Sequence, residues 1–491
     1  MRVLRLVDML LRRKGALAQR LAHAVISIAL RLFFRRIETS RAHLVPASGA
    51  LVFVLNHPNG MIDPGLVFAA MPRRISFLAK STLFRLPLIG WLLRTVEALP
   101  LHRRVDDGAD ITQNLRTFEA CRHLLRRGRC IALFPEGVSH NATKLLPIKT
   151  GAARIALGAL SINEAGASPS GRASFPHLNA LPDGLAPASN GVADTLELKI
   201  IPVGLYYTSK TSFRSEALLR FGPPLEVRAV ELDEQGEPPR DAVLELSARI
   251  EEALRGVTLN VETEEELDVA RKAERLFSSV YEGLNMRVPL AERFMFLRRL
   301  SAEVFARLSA AEGVELRRRL LRHEEELRRI GIAPENLQLS RHSAWHVFRH
   351  FLLRAGVLLL LLPLTVAGAL VHLPAYLACT LLARVYPTHG VDEIAPTVKI
   401  LAAILLMPLT WLTVSALAFI WFDWRAALAA LPLSILCGYV AMRSLEEIYD
   451  MRGWFKAVLL IVRRRKLFLR LLIERRALQD EISSMDAHTG G

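Results

Sequence analysis

The chain has 491 residues, of which 51% are hydrophobic, and its mean hydropathy is +0.26. This length accommodates about two to four domains, and this hydropathy predicts that part of the chain lies in lipid. The formal charge of +16 suits either a nucleic acid or an anionic membrane surface. Because long apolar runs accompany the charge and no recognisable nucleic-acid-binding motif does, we expect membrane lipids and no nucleic acid as partners.

Cysteine and histidine spacing argues against a metal or disulfide framework. The four cysteines, at positions 121, 130, 379 and 437, form no CxxC pair, which is the spacing that zinc knuckles need. The histidines lack HExxH or similar ligand spacing. The sequence therefore predicts no metal site.

Residues 1–37 alternate basic and apolar side chains. The run from Leu21 to Leu30 contains no Arg, Lys, Asp or Glu, but it is too short to span a bilayer. We expect a membrane-surface helix with Arg31, Arg35 and Arg36 toward the lipid headgroups. An ordinary amphipathic helix packed on the following domain is the alternative.

Residues 40–225 alternate strand and helix patterns, which predicts an α/β domain around a largely buried sheet. We assign residues 38–260 to this domain. The helical pattern is clearest at 111–127, and Gly128 stands at the expected stop. Residues 163–194 are rich in Ala, Ser, Pro and Gly and predict a surface insertion. The predicted strands are 50–55, 74–79, 130–134, 197–203 and 217–221.

Residues 240–340 are strongly charged and helical in period. The pattern favours a solvated helical hairpin with ion pairs four residues apart. We therefore assign residues 261–345 to a separate charged helical region.

Residues 346–445 form the predicted transmembrane region, with apolar runs at 355–383, 400–422 and 426–442. The tail, 446–491, is basic again. If the catalytic half and this tail are both cytoplasmic, the number of crossings must be even. Either 355–383 is then a hairpin broken at Pro363 and Pro374, or one run is re-entrant; the sequence leaves both open.

Two predicted strands end in ionisable residues. The apolar run 51–55 is followed by Asn56 and His57, and Asp63 lies six residues beyond the histidine. The run 130–134 is followed by Pro135, Glu136 and Gly137. A strand that ends in a histidine, with an acid nearby, can hold a general base in one tautomer. The sequence therefore predicts one active site built from both strand ends.

These segments resemble the conserved blocks of a known family. NHPNGMIDP (56–64), ALPLHRR (98–104), FPEGVSH (134–140) and IIPVGLYY (200–207) resemble, in order and spacing, the four blocks of the glycerolipid acyltransferases. The resemblance covers roughly residues 20–260. KILAAILLMPLTW (399–411) also resembles the membrane region of the larger, fungal-type glycerol-3-phosphate/dihydroxyacetone-phosphate acyltransferases.

The resemblance implies an acyltransferase-type α/β domain with an interfacial N-terminal helix, a charged helical segment and a C-terminal α-helical transmembrane region. It implies a membrane-bound enzyme that moves a fatty acyl group from acyl-CoA or acyl carrier protein to glycerol 3-phosphate or a related lysophospholipid. The acyl thioester is a co-substrate, and no cofactor is expected. The catalytic domain would lie on the cytoplasmic face, of the inner membrane if the protein is bacterial.

The residue types give each block a role. His57 would take the proton of the attacking hydroxyl, while Asp63 fixes the imidazole tautomer and stabilises the imidazolium. Arg103 falls where the family's phosphate-binding basic residue lies, and a guanidinium binds phosphate bidentately. Glu136 would bind acceptor hydroxyls or order its loop, and Gly137 would let the backbone approach the substrate. Two further candidates are Lys80, for binding, and Pro202, for the acyl-chain wall or the strand itself.

One departure from the family pattern bears on the dyad. The first block usually has four residues between its histidine and its aspartate, whereas five separate His57 from Asp63. Pro58 and Gly60 predict a turn that absorbs the extra residue. The larger family members that the chain resembles also have the longer spacing. If the turn fails to do so, Asp63 misses His57.

Two other functions stay open at this point. A non-enzymatic membrane scaffold or transport protein with a degenerate acyltransferase lobe is favoured only by the longer spacing. A metal-dependent hydrolase using His57 and Asp63 is a third hypothesis. Since the chain has neither a GxSxG segment nor a plausible Cys–His pair, an acyltransferase of this kind is expected to transfer directly, without an acyl-enzyme.

Overall fold

The computed structural model describes residues 17–71, 73–102, 113–160, 197–210, 212–234, 236–282, 288–301, 310–332, 344–385 and 391–487. The chain divides into two compact units, residues 1–259 with 388–397, and residues 260–387 with 398–491. The predicted insertion at 163–194 lies outside the described residues.

The first unit is built on an eight-stranded sheet with the order β1-β7-β6-β2-β5-β3-β4, and β8 lies beside β6. β2 to β6 run parallel to one another wherever they pair, whereas β7 and β8 are antiparallel to β6. β1 pairs in parallel with β7. The strands are β1 Arg36–Ser40, β2 Ala50–Leu55, β3 Ile75–Lys80, β4 Leu99–Leu101, β5 Cys130–Leu133, β6 Leu198–Tyr207, β7 Glu216–Phe221 and β8 Leu225–Glu226.

The central strand β2 is buried on both faces. Val52 and Val54 belong to a core cluster that also contains side chains of α4, α5 and α6, such as Leu125, Ile155 and Ile250. Phe53, which alternation directs to the opposite face, is fully buried too. A parallel strand covered on both faces explains an uninterrupted apolar run. The helices of this unit are α1 Leu17–Phe33, α2 Ile62–Ala70, α3 Pro87–Thr95, α4 Gln113–Arg126, α5 Gly151–Leu160 and α6 Arg240–Val257.

The predicted α/β class is confirmed, and the five predicted strands are present within a few residues. The differences lie at the ends and in the short strands. β6 continues to Tyr207 instead of ending at 203, and β1, β4 and β8 were not predicted. β1 also begins at Arg36, inside the segment assigned to the N-terminal helix.

Helix α1 carries apolar side chains on two faces. Leu30 and Phe33 are buried, and α1 packs against α2. An exposed stripe, 42–73% accessible, follows helical spacing on the other side and consists of Leu17, Leu21, Val25, Ile28 and Leu32. Packing on the domain and a free apolar face therefore coexist, and the free face is what a membrane-surface helix needs.

The second unit is helical. α7, α9 and α13 share a small core that includes Ala273, Leu320 and Leu478. Lys272 pairs with Asp268 on its own helix and with Glu324 on α9, at 2.7 and 2.9 Å. The charged segment is thus more than a hairpin, since its helices α7 and α9 also share a core with a third helix, α13. Its ion pairs lie between helices as well as within them. The helices are α7 Glu264–Glu282, α8 Leu290–Arg299, α9 Ala310–Ile330, α10 Ala344–Val385, α11 Val391–Trp421, α12 Trp424–Arg463 and α13 Arg465–Ala487.

Three helices of the described chain are long and apolar enough to cross a membrane, over Phe351–Val385, Thr397–Trp421 and Trp424–Tyr449. α10 is one continuous helix through Pro363 and Pro374, so the proline-broken hairpin considered above is wrong. α12 runs through position 445, where the transmembrane region was expected to end.

Small residues let α10 and α12 approach closely. A Cβ on Gly368 would lie 2.0 Å from the carbonyl oxygen of Cys437, and Thr365 Oγ1 donates a hydrogen bond to Ser444 Oγ at 2.9 Å. Small residues at such contacts are typical of packed membrane helices.

His323 on α9 generates a prediction about stability and pH. Its side chain is 1% exposed, and neither ring nitrogen has a hydrogen-bond partner among the residues that the structure describes. Burial lowers the pKa of His323 below the ordinary 6.5, although Glu474 at 3.7 Å opposes this. The unfolded chain therefore binds a proton here that the folded chain resists, so stability falls as pH drops below about 6.5. We expect His323→Leu to lose less melting temperature than the wild type between pH 7.5 and pH 5.5, measured by circular dichroism in detergent. Equal losses in both proteins would contradict this assignment.

Candidate active site

His57 and Asp63 form a hydrogen-bonded dyad where β2 ends. His57 Nδ1 lies 2.8 Å from Asp63 Oδ2, and the aspartate is fully buried whereas the histidine side chain is 18% exposed. Asp63 is the second residue of α2, where the helix dipole favours a carboxylate. The buried acid thus holds one ring nitrogen and leaves the other side of the imidazole toward the outside.

A tight turn absorbs the extra residue between the two. Gly60 adopts a φ of +45°, and the Ile62 amide donates to the Asn59 carbonyl at 3.0 Å. The Asn59 amide itself donates to Asp63 Oδ2 at 2.7 Å. The turn therefore supplies a donor to the carboxylate as well as the reach that the longer spacing requires.

Asn56 fixes the start of this turn to the neighbouring strand. Its Nδ2 donates to the Leu205 carbonyl at 3.1 Å, and its Oδ1 accepts from the Leu205 amide at 2.7 Å. The side chain therefore bonds both backbone groups of one β6 residue. This clamp holds the residue before His57 in register with β6.

Tyr207 is a site residue that the sequence analysis missed. It is the last residue of β6, and its hydroxyl donates to Asp63 Oδ1 at 2.6 Å. Burial, first, and the Asp63 charge raise the pKa of the Tyr207 phenol well above its usual 10, so the phenol stays a proton donor. Its place directly after IIPVGLY, in a strand next to β2, is the signal that would have found it.

Glu136 ties the second loop to the first. Its Oε2 accepts from the His57 amide at 2.7 Å, and its Oε1 accepts from the Leu146 amide at 3.1 Å. His140 Nε2 lies 2.7 Å from the same Oε1. Because the protein engages both oxygens of this buried carboxylate, the geometry favours loop ordering over binding of acceptor hydroxyls.

Phe134 and His140 complete the contact between the loops. The Phe134 ring stacks on the His57 imidazole with centroids 4.1 Å apart, and the His140 amide donates to the His57 carbonyl at 3.1 Å. The FPEG segment therefore positions His57 from its backbone and from one ring face. His140 therefore belongs to the same network as His57 and Glu136.

Gly137 has a conformational reason to be glycine. Its φ is +76°, and a Cβ there would lie 2.5 Å from Lys149 Nζ. The Lys149 side chain thus covers this glycine, beside the site. The turn and the lysine explain Gly137 independently of any approach to substrate.

Lys80 ends β3, which runs parallel to β5 and therefore ends at the same edge of the sheet as β2 and β5. Lys80 is the last residue of β3 and is in register with Leu101, the last residue of β4. Arg103 lies outside the described residues, so its predicted contact with phosphate stays a prediction. Lys80 stays a candidate for binding through its position at this edge.

Pro202 lies inside β6 rather than at its end. On one side it is in register with Val54 of β2. On the other, β8 pairs with Lys199 and Ile200, and β7 pairs from Val203 onward. Position 202 thus lies between the part of β6 that pairs with β8 and the part that pairs with β7. A proline fits there because its missing amide hydrogen interrupts neither pairing. This favours the structural role over the acyl-chain wall.

Within the described part of the chain, no group of three or more His, Cys, Asp or Glu side chains is arranged to hold a metal ion. The Asp63 carboxylate instead accepts hydrogen bonds from His57, Asn59 and Tyr207.

Family models match two parts of the chain. Residues 36–172 match the model described as Acyltransferase, and residues 271–490 match the Glycerol-3-phosphate acyltransferase 2 C-terminal domain. The chain therefore combines an acyltransferase-family domain, which contains the dyad, with a C-terminal domain of the glycerol-3-phosphate acyltransferase 2 type.

Individual proteins agree with both matches. Glycerol-3-phosphate O-acyltransferase 2 of Saccharomyces cerevisiae is 25% identical over 64% of this chain and 39% of its own length. An uncharacterized acyltransferase of Schizosaccharomyces pombe is 23% identical over 72% of this chain and 60% of its own length. The chain thus spans less than two thirds of these relatives. The crystal structure of the 1-acyl-sn-glycerophosphate acyltransferase PlsC from Thermotoga maritima is 14% identical, with a TM-score of 0.32 over 51% of this chain and 85% of that one.

Glu136→Gln separates the two roles considered for that residue. An amide presents an N–H to one of the amide donors that the carboxylate now accepts from, which costs about 1–3 kcal/mol of stability. We expect a lower melting temperature together with at least a tenfold loss of activity. The exposed Glu234→Gln is the matched control and should behave as wild type. Full stability with lost activity would instead indicate direct contact with substrate.

Proposed function

We propose that the protein is a membrane-bound glycerolipid O-acyltransferase. It moves a fatty acyl group from acyl-CoA or acyl carrier protein to a hydroxyl of glycerol 3-phosphate or a related lysophospholipid. The observation that carries the proposal is the 2.8 Å contact between His57 and the buried Asp63 at the end of β2. The name of the yeast relative, glycerol-3-phosphate O-acyltransferase 2, supports it.

The chemistry follows from the dyad. With Nδ1–H donated to Asp63, the other ring nitrogen of His57 is a free acceptor for the proton of the attacking hydroxyl. The hydroxyl oxygen bonds to the thioester carbon, the carbon–sulfur bond breaks, and the proton passes from His57 to the departing thiolate. Asp63 stabilises the imidazolium between these events. No protein nucleophile takes part.

Cations near the two loops suit the acceptor phosphate. Lys149 covers Gly137, and Lys210 Nζ donates to the His140 carbonyl at 3.2 Å. Arg103 is the proposed bidentate phosphate ligand, and Lys80 is a second candidate at the same sheet edge. Each positive charge would offset part of the charge of a bound phosphate dianion.

The substrates explain the attachment to lipid. A fatty acyl chain and a charged glycerol phosphate meet most readily at a bilayer surface. The apolar stripe of α1 would lie on that surface, and the three apolar helices would anchor the chain in it. A cytoplasmic position for both the basic tail and the catalytic domain requires an even number of crossings, so one of these three helices would be re-entrant.

The scaffold alternative loses its one support. It depended on Asp63 missing His57 because of the longer spacing. The turn at Gly60 brings the two side chains into hydrogen-bond contact, so nothing about the dyad favours a degenerate lobe.

His57→Ala tests the mechanism. Loss of a general base lowers the rate by about 10²–10⁴-fold, so we expect nearly complete loss of acyl transfer in a protein that stays folded. The assay crosses labelled acyl-CoA and acyl carrier protein with glycerol 3-phosphate, dihydroxyacetone phosphate and lysophosphatidate, using purified full-length protein. The exposed His43→Ala is the matched control.

Two results would overturn the proposal. One is wild-type protein that transfers to none of these acceptors although it is folded. The other is a His57→Ala variant that keeps the wild-type rate.

A further inference from the structure

Tyr207 reaches the catalytic dyad from a different strand. β6 lies beside β2 in the sheet and runs parallel to it, so its last residue arrives at the edge where β2 delivers His57. The Tyr207 side chain is nearly fully buried. Its hydroxyl donates to Asp63 Oδ1 at 2.6 Å, whereas His57 and Asn59 bond to Oδ2.

The two sides of the carboxylate are therefore held independently. A carboxylate that is bonded at Oδ2 alone can turn about its Cβ–Cγ bond and still keep one contact. A second donor at Oδ1 fixes the plane of the group, and this plane aims the lone pair that His57 Nδ1–H must meet.

The phenol is itself held from behind. The Phe34 ring packs on Tyr207 with centroids 5.6 Å apart and an interplanar angle of 29°. Phe34 directly follows α1, and the Arg214 side chain lies 3.3–3.4 Å from the carbonyls of Arg31, Leu32 and Phe34, to which it donates. Phe34, held at the C-terminal end of α1, thus packs against the Tyr207 ring whose hydroxyl bonds to Asp63.

We propose that Tyr207 is a positioning residue of this active site: it fixes the orientation of Asp63 and, through it, the tautomer and direction of His57. The inference rests on the proposed function for its kinetic consequences. Tyr207 touches no substrate and takes no proton. Its hydroxyl fixes the Asp63 carboxylate, which would otherwise be free to turn, and so keeps His57 in one orientation.

The kinetic test is Tyr207→Phe in the full-length protein, with the acceptor that the wild type uses. Removing one hydrogen bond to a charged group should lower kcat by about tenfold, while KM for donor and acceptor changes less than about twofold because no substrate contact is lost. Tyr206→Phe, the neighbouring phenol that points to the other face of the strand, is the matched control and should keep wild-type kcat.

A second readout does not depend on activity. Reaction of His57 with diethyl pyrocarbonate at one fixed pH, followed by peptide mass spectrometry, reports the reactivity of its outward ring nitrogen. Without the phenol donor, the Asp63 carboxylate can turn and no longer holds His57 in one tautomer, so the reaction rate of this nitrogen should fall by about twofold. Phe34→Leu, which keeps the hydroxyl but loosens its ring, should give a smaller loss of kcat.

The outcomes are distinguishable. Unchanged kcat together with an unchanged rate of His57 modification in Tyr207→Phe overturns the inference, as does a loss of kcat that merely follows the unfolded fraction. Wild-type protein without acyl transfer defeats the proposed function instead, and the rate of His57 modification still decides the role of Tyr207.

Discussion

The hydrogen bond between His57 and Asp63 is the constraint on which the rest of the site depends. It requires the five residues between His57 and Asp63 to form a turn that brings the first turn of α2 back to the end of β2. Side chains from other elements hold this turn in place. Asn56 bonds it to β6, Glu136 accepts from its first amide, and Tyr207 holds the far oxygen of the aspartate. Removing any one of these contacts leaves a buried polar group without its partner, which is why the arrangement is rigid.

The sheet explains why these groups meet. β2, β5 and β6 are parallel neighbours, and parallel strands deliver their following loops to one edge. Burial of β2 on both faces removes freedom from the strand that carries the base. The same unit presents the apolar stripe of α1 toward the outside, and Phe34 at the C-terminal end of α1 packs against Tyr207. The exposed apolar stripe and the His57–Asp63 pair are thus carried by adjoining parts of one domain.

The fold class and much of the site were predictable from sequence because β2 and β5 are continuous apolar runs that end in ionisable residues. Tyr207 was not, since β6 was expected to end at position 203 and spacing alone does not indicate that the strand continues past Pro202. That proline is tolerated because β8 and β7 pair with different parts of β6, a fact of tertiary structure. β4 and β8 have three and two residues, too few to leave a pattern. Pro363 and Pro374 suggested a break in the apolar run as one alternative, but α10 continues through both.

In the proposed mechanism, a buried carboxylate orients His57 as the base for direct acyl transfer. The sharpest test is single-turnover transfer from labelled acyl-CoA to the acceptor, compared between wild type and Asp63→Asn. Asparagine keeps the shape of the side chain but removes its charge and disturbs the tautomer of His57. We expect a transfer rate lower by about 10²–10⁴-fold, with the protein still folded. Transfer by Asp63→Asn at the wild-type rate would refute the proposed mechanism.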